Sequence, residues 1–146
     1  MINILFFDDE PFISLIIENL NRNYDWPFEK DITYVSDTRN VIKRVNDVSV
    51  RYDLFVIDMF ADFHFSDFTK EEVEEMMYGS RTGYVLAKKI RESERYKDVP
   101  ILFFSADYVN IPESMRTNTY YIRKPVFANE LYEVMKEILI EQTTTS

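Results

Sequence analysis

The sequence predicts an α/β domain: a parallel sheet covered by helices on both faces. Two observations carry that expectation. Short runs that are apolar at nearly every position, Ile2–Phe7, Leu54–Ile57 and Ile101–Phe104, alternate with longer segments whose apolar residues recur at helical spacing. These runs also lack the polar–apolar alternation of a strand with one wet face, as expected of strands buried on both sides. With 146 residues, 46 % of them hydrophobic, the chain has enough apolar surface for one folded domain.

Ile2–Phe7 is the first strand. Pro11 opens a helix, because a first turn leaves its N–H unused, and Ile13, Ile16, Ile17 and Leu20 form the apolar face. Asn23–Lys30, with the sole Trp, reads as a loop. Ile32–Val35 is less continuously apolar and is predicted as an edge strand. Ser36 or Asp37 caps the next helix, with Val41, Ile42, Val45 and Val48 inward. Leu54–Ile57 is the third strand and ends at Asp58. A helix over Gly83–Glu94 turns Leu86, Ala87 and Ile90 to the core. Ile101–Phe104, after Pro100, and Tyr120–Arg123 are the fourth and fifth strands. The last helix spans Asn129–Ile140, with Leu131, Val134, Met135 and Ile138 inward. Residues 1–140 are therefore one domain, and 141–146 a polar tail expected to fray.

Two stretches break the rhythm. Asp107–Thr119 should hold a helix, but Pro112 interrupts it and the apolar face is thin. Residues 59–82 are too long for an ordinary strand–helix loop and form an insertion. Its first part carries Phe60, Phe63, Phe65 and Phe68, expected to pack on the domain's own surface or else to dock a partner or cover the active site. Thr69 and Glu72 have capping-box spacing, so Lys70–Tyr78 is predicted as an extra helix. Glu71, Glu72, Glu74 and Glu75 read as its solvated face, and His64, the only His, as an ordinary loop residue.

Composition excludes several classes. The net charge is −9 with no basic stripe, which is not the footprint of a nucleic-acid binder. Without Cys there are no disulfides, thiolate metal sites or Cys nucleophiles. The six-residue N-terminal apolar run ends in acids and is neither a signal peptide nor a membrane span, so a cytoplasmic location is expected.

The chemistry gathers at strand ends. In open parallel sheets ligands bind beyond the carboxyl ends of the strands, where the strand order reverses. In the flavodoxin-like (βα)5 order 2-1-3-4-5, that point lies between strands one and three, which end in Asp8-Asp9 and Asp58. Strands four and five then bring Ser105 and Lys124. Carboxylates this close repel by roughly 4 kcal/mol per pair at 4 Å with an effective dielectric near 20. Such a rim suits a hard divalent cation and a transferable phosphoryl group.

The segments Ile4–Pro11, Phe55–Met59, Val99–Ala106 and Tyr121–Pro125, in that order at strand ends, resemble the receiver domain of two-component response regulators. The resemblance covers the chain apart from the insertion and the tail. It implies that Asp58 is the phosphoacceptor, with Mg²⁺ held by Asp8, Asp9, Asp58 and the backbone carbonyl of Phe60. It implies further that Lys124 and Ser105 contact the phosphoryl oxygens, that Ser105 and Tyr121 form the switch, and that a cis bond precedes Pro125. Glu10 is then a helix-start charge rather than a further ligand. The implied function is a stand-alone receiver that takes a phosphoryl group from a histidine kinase or histidine phosphotransfer protein and signals to an unknown downstream protein or passes the group on. Such a protein catalyses only its own phosphorylation and slow dephosphorylation and is not otherwise an enzyme. It needs neither nucleic acid nor membrane.

Departures from the family pattern are also visible. Gly83 follows Asp58 by 25 positions, more than twice the usual spacing, and Thr117-Asn118-Thr119 replaces the small Gly-Ala pair before the fifth strand. These leave open a receiver-like interaction module that does not switch. A Mg²⁺-dependent phosphohydrolase with an aspartyl nucleophile is the other alternative; that class wants a second Asp two residues after the first, where Phe60 stands.

Overall fold

In a computed structural model, which describes residues 1–78, 81–107 and 110–144, five strands form one sheet. They are β1 (Ile2–Phe7), β2 (Lys30–Val35), β3 (Leu54–Asp58), β4 (Ile101–Ser105) and β5 (Thr119–Arg123). All pairs are parallel and the order is β2-β1-β3-β4-β5. Every residue of β3 and β4 is buried, which accounts for their unbroken apolar runs. The helices are α1 (Ile13–Arg22), α2 (Thr38–Asn46), α3 (Lys70–Tyr78), α4 (Thr82–Glu92) and α5 (Ala128–Thr144).

Because successive strand residues face opposite sides, the sheet sorts its own apolar residues into two cores. Ile4, Phe6, Val56, Leu102 and Phe104 pack with Ile13, Leu20, Leu131 and Met135 of α1 and α5. Leu5, Phe7, Phe55, Ile57 and Phe103 pack with Val41, Leu86 and Ile90 of α2 and α4.

The predicted elements form, with local corrections. Asp37 is the cap of α2, accepting from the Asn40 N–H at 2.8 Å. That helix stops at Asn46, so Val48 is 83 % exposed rather than inward. The Asp47 carboxylate takes both the N–H (2.9 Å) and the hydroxyl (2.6 Å) of Ser49, a local turn that competes with another helical turn. Residues 141–144, expected to fray, continue α5; Gln142 and Tyr120 tie that end to the sheet side through Asn118 and Glu141. Residues 145–146 lie outside the described residues.

Between β4 and β5 the described residues hold only a 3₁₀ turn, Glu113–Met115, following Pro112. Asn118 has φ 55°, a left-handed conformation that Asn tolerates, and its side chain donates to the Asp98 carbonyl at 2.9 Å.

The insertion leaves β3 at Met59 and returns to the same point. Its helix α3 has the predicted capping box, Thr69 N–H to Glu72 at 2.8 Å and Glu72 N–H to the Thr69 hydroxyl at 3.2 Å. The acidic run is not all solvated face. Glu75 pairs with Lys88 at 2.9 Å and Glu72 with Lys89 at 3.1 Å, which fastens α3 to α4. The Phe63 ring meets Phe65 and Phe68, and Phe68 reaches the α2/α4 core, so the aromatic part packs on its own domain. Phe65 keeps an exposed side.

Where the excursion closes, Gly83 donates its N–H to the Met59 carbonyl at 3.0 Å. A Cβ there would stand 2.6 Å from the Asp58 carbonyl oxygen and 2.7 Å from Met59 Cα. Both obstacles are backbone and cannot swing aside. Gly83→Ala is therefore expected to cost ~2 kcal/mol or more in urea denaturation, the range for forced overpacking. An unchanged midpoint would show that α4 is not seated against β3 in this way.

Candidate functional site

The sheet register builds the site. Phe7 lies opposite Ile57, and Asp58 opposite Phe104, so residues 8, 58 and 105 come to one end of three adjacent strands. The ladder runs one step further: the Asp8 N–H bonds the Val35 carbonyl at 3.2 Å and the Lys124 N–H bonds the Ser105 carbonyl at 2.7 Å. Oxygens of Asp8, Asp9 and Asp58 all lie within 4.8 Å of one another.

Asp8 is fully buried and Asp58 is 4 % exposed. Asp8 Oδ1 accepts the Glu10 N–H at 2.9 Å. Asp8 Oδ2 has Lys124 Nζ at 3.0 Å. Lys124 Nζ is also 3.5 Å from Asp58 Oδ1 and 3.9 Å from Glu10, and lies over the Phe104 ring. Glu10 thus leans on the ammonium and precedes α1 rather than starting it. The Lys124–Pro125 peptide is cis, as expected.

Burial and charge together set the titration of the pair. Burial, then the Asp8 charge, pushes the Asp58 carboxyl up to about 7, with Lys124 opposing. Burial works against the Lys124 ammonium, but Asp8, Asp58 and Glu10 outweigh it and hold its pKa above the ordinary value. A single ammonium among three acids leaves the pocket short of positive charge. An all-oxygen donor set of this kind fits a hard divalent cation.

Around this centre lie residues the sequence did not single out. The Tyr34 hydroxyl, from the edge strand, donates to the Asp8 carbonyl at 3.0 Å, and burial followed by Asp8 and Asp9 raises its pKa. Its position beside Phe6 in the register was the available clue. From the insertion, the Asp62 N–H donates to Asp9 Oδ2 at 2.9 Å. No spacing rule could reveal that, because it depends on how the loop folds back. The Phe60 N–H donates to Asp58 Oδ1 at 3.2 Å, and the Arg81 guanidinium lies 4.9 Å from the Phe60 ring centre. His64 is held elsewhere, by the Thr38 hydroxyl on α2.

Ser105 is buried, and its hydroxyl donates to the Asp107 carbonyl at 2.9 Å. The Tyr121 hydroxyl donates to the same carbonyl at 2.6 Å. One oxygen thus joins both residues expected to switch.

No protein-family model matches the chain, and neither does any curated protein sequence. Solved structures do match. A response regulator receiver domain protein from Clostridium thermocellum aligns over the whole of both chains at 16 % identity with a TM-score of 0.67. The chemotaxis protein CheY4 of Vibrio cholerae is 16 % identical over 94 % of this chain and 98 % of its own, with a TM-score of 0.66. The response regulator TrrA of Thermotoga maritima, solved in complex with Mg²⁺–BeF, is 25 % identical over 94 % and 99 %, with a TM-score of 0.64. The chain has the flavodoxin-like fold of CheY-like receiver domains. No described helix is long and apolar enough to cross a membrane.

The raised Asp58 pKa makes a signed prediction. Between about pH 4 and 7 the folded protein holds a proton that the unfolded chain has released, so stability falls as pH rises through that window and levels off above it. Asp58→Asn removes this slope. In metal-free buffer its stability advantage over the wild type should grow by ~2 kcal/mol from pH 5 to pH 7, measured by urea titration. A pH-independent difference would mean that Asp58 titrates normally.

Proposed function

We propose that the chain is a receiver that accepts a phosphoryl group on Asp58 from a phosphohistidine donor, either a histidine kinase or a histidine phosphotransfer protein. The observation that supports this best is the joint placement of Asp8, Asp9 and Asp58 with Lys124 at the carboxyl ends of adjacent strands.

Asp58 Oδ1 is engaged by the Phe60 N–H and faces Lys124, which leaves Oδ2 to attack phosphorus. As the new O–P bond forms, the P–N bond breaks and its electron pair returns to the donor imidazole. Asp8, Asp9 and Asp58, with the Phe60 carbonyl, would hold Mg²⁺, which when bound offsets negative charge on the transferring oxygens. Lys124 holds one phosphoryl oxygen. Ser105 can donate to another only by releasing the Asp107 carbonyl, which Tyr121 also holds. Moving the hydroxyl therefore alters the partner of Tyr121, and a local charge event reaches the β4–β5 surface. That surface would then change its affinity for a downstream protein. The Phe60 side chain at the rim favours slow loss of the phosphoryl group to water.

Incubation with acetyl phosphate and Mg²⁺ should add one phosphoryl group by intact mass. Asp58→Asn should abolish the gain, Lys124→Ala should cut its rate by an order of magnitude or more, and the adduct should outlast the minute timescale. No gain in mass, or a gain that survives Asp58→Asn, would leave the non-switching interaction module. Repeated turnover of phosphate esters would instead indicate a phosphohydrolase.

A further inference from the structure

Arg81 is poorly explained by the helix it introduces. It is the N-cap residue of α4, yet its side chain makes no capping bond, and a cation is unfavourable at the positive end of a helix dipole. In a chain with 26 acidic residues, no ion pair of Arg81 is found among the described residues, and its Nε is buried without a hydrogen-bond partner. The contact its guanidinium does make is with the Phe60 ring, at 4.9 Å.

Phe60 matters because its N–H holds Asp58 Oδ1 at 3.2 Å while its side chain stays 39 % exposed. The base of Arg81 is equally well placed. Two residues on, Gly83 is clamped against the backbone of Asp58 and Met59, and the Arg81 carbonyl accepts the Val85 N–H at 3.1 Å. The long insertion therefore delivers a cation to the ring of the residue whose N–H braces Asp58. We propose that Arg81 is a positioning residue: stacked on Phe60, it holds that ring at the mouth of the Asp58 pocket and so lengthens the life of the aspartyl phosphate. This rests on the phosphoacceptor reading above.

The reaction it slows is hydrolysis. A water oxygen forms a bond to phosphorus in line with the Asp58 oxygen, the Asp58 O–P bond breaks with its electron pair going to the carboxylate, and the water proton passes to solvent. A ring held over the pocket restricts the water's approach; a ring released from the guanidinium does so only part of the time.

The test is the half-life of protein phosphorylated by acetyl phosphate and then desalted into Mg²⁺ buffer. Arg81→Ala should shorten it about twofold to fivefold, the factor carried by a cation–π contact at a partly exposed site. Arg81→Lys, which keeps a cation able to lie on the ring, should restore part of the loss. In a Phe60→Ala background, Arg81→Ala should have little further effect, since the two act as one unit. An unchanged half-life in Arg81→Ala overturns the inference, and so does a loss that persists undiminished without the Phe60 ring. A wild-type protein that takes up no phosphoryl group overturns the phosphoacceptor reading itself, and this inference with it.

Discussion

The imbalance of charge at one end of the sheet governs the rest. Three carboxyl groups meet one ammonium in a pocket where two of the acids are almost wholly shielded from water. Burial leaves the acids few ways to relax: one can stay protonated, as Asp58 does up to about pH 7, or positive charge can enter. The backbone already helps, since the N–H groups of Glu10, Phe60 and Asp62 each reach one of the three acids. What they leave over is Asp8 Oδ2, which faces Lys124 at 3.0 Å. A site in this state is destabilised when empty of cations and is relieved by them.

The same constraint explains how the insertion can be tolerated. Twenty or so extra residues would be free to wander if they were joined to the domain only at their ends. Here they are tied at several points: Asp62 to Asp9, His64 to Thr38, Ser66 and Asp67 to Arg39, and Glu72 and Glu75 to the lysines of α4. Gly83 then closes the excursion against the carbonyl of Asp58 itself. The inserted segment therefore does not merely hang from the loop after β3. It shares a hydrogen bond with Asp9 and a ring contact with the residue that braces Asp58.

What could be read from the sequence follows from how local each signal is. Strands β1, β3 and β4 announce themselves because burial on both faces demands apolar residues throughout, and α3 because its capping box needs only four positions. Asp8, Asp9, Asp58, Ser105 and Lys124 stand out as polar residues at the ends of such runs. One misplaced detail turns on a competing local turn, and the others depend on partners far along the chain. Periodicity places Val48 inward, but the Asp47–Ser49 turn ends the helix first. Residues 141–144 look like a polar tail until α5 docks beside Tyr120 and Asn118. Glu72 and Glu75 look like a solvated face until α4 presents Lys88 and Lys89 to them.

The β4–β5 connection is held differently at its two ends. Its far end is firmly held: the Arg91 guanidinium reaches the carbonyls of Lys97, Val99, Thr117 and Asn118, and Arg116 holds the Ile111 carbonyl. Met115 is buried beneath it, and the Thr119 hydroxyl donates to the Met115 carbonyl. The near end depends on the Asp107 carbonyl, which accepts from Ser105 and from Tyr121 together. Only a 3₁₀ turn lies among the described residues of that connection. The Asp107 carbonyl is thus shared by Ser105, at the end of β4, and Tyr121, on β5, while Lys124, just past β5, reaches Asp8 and Asp58 directly.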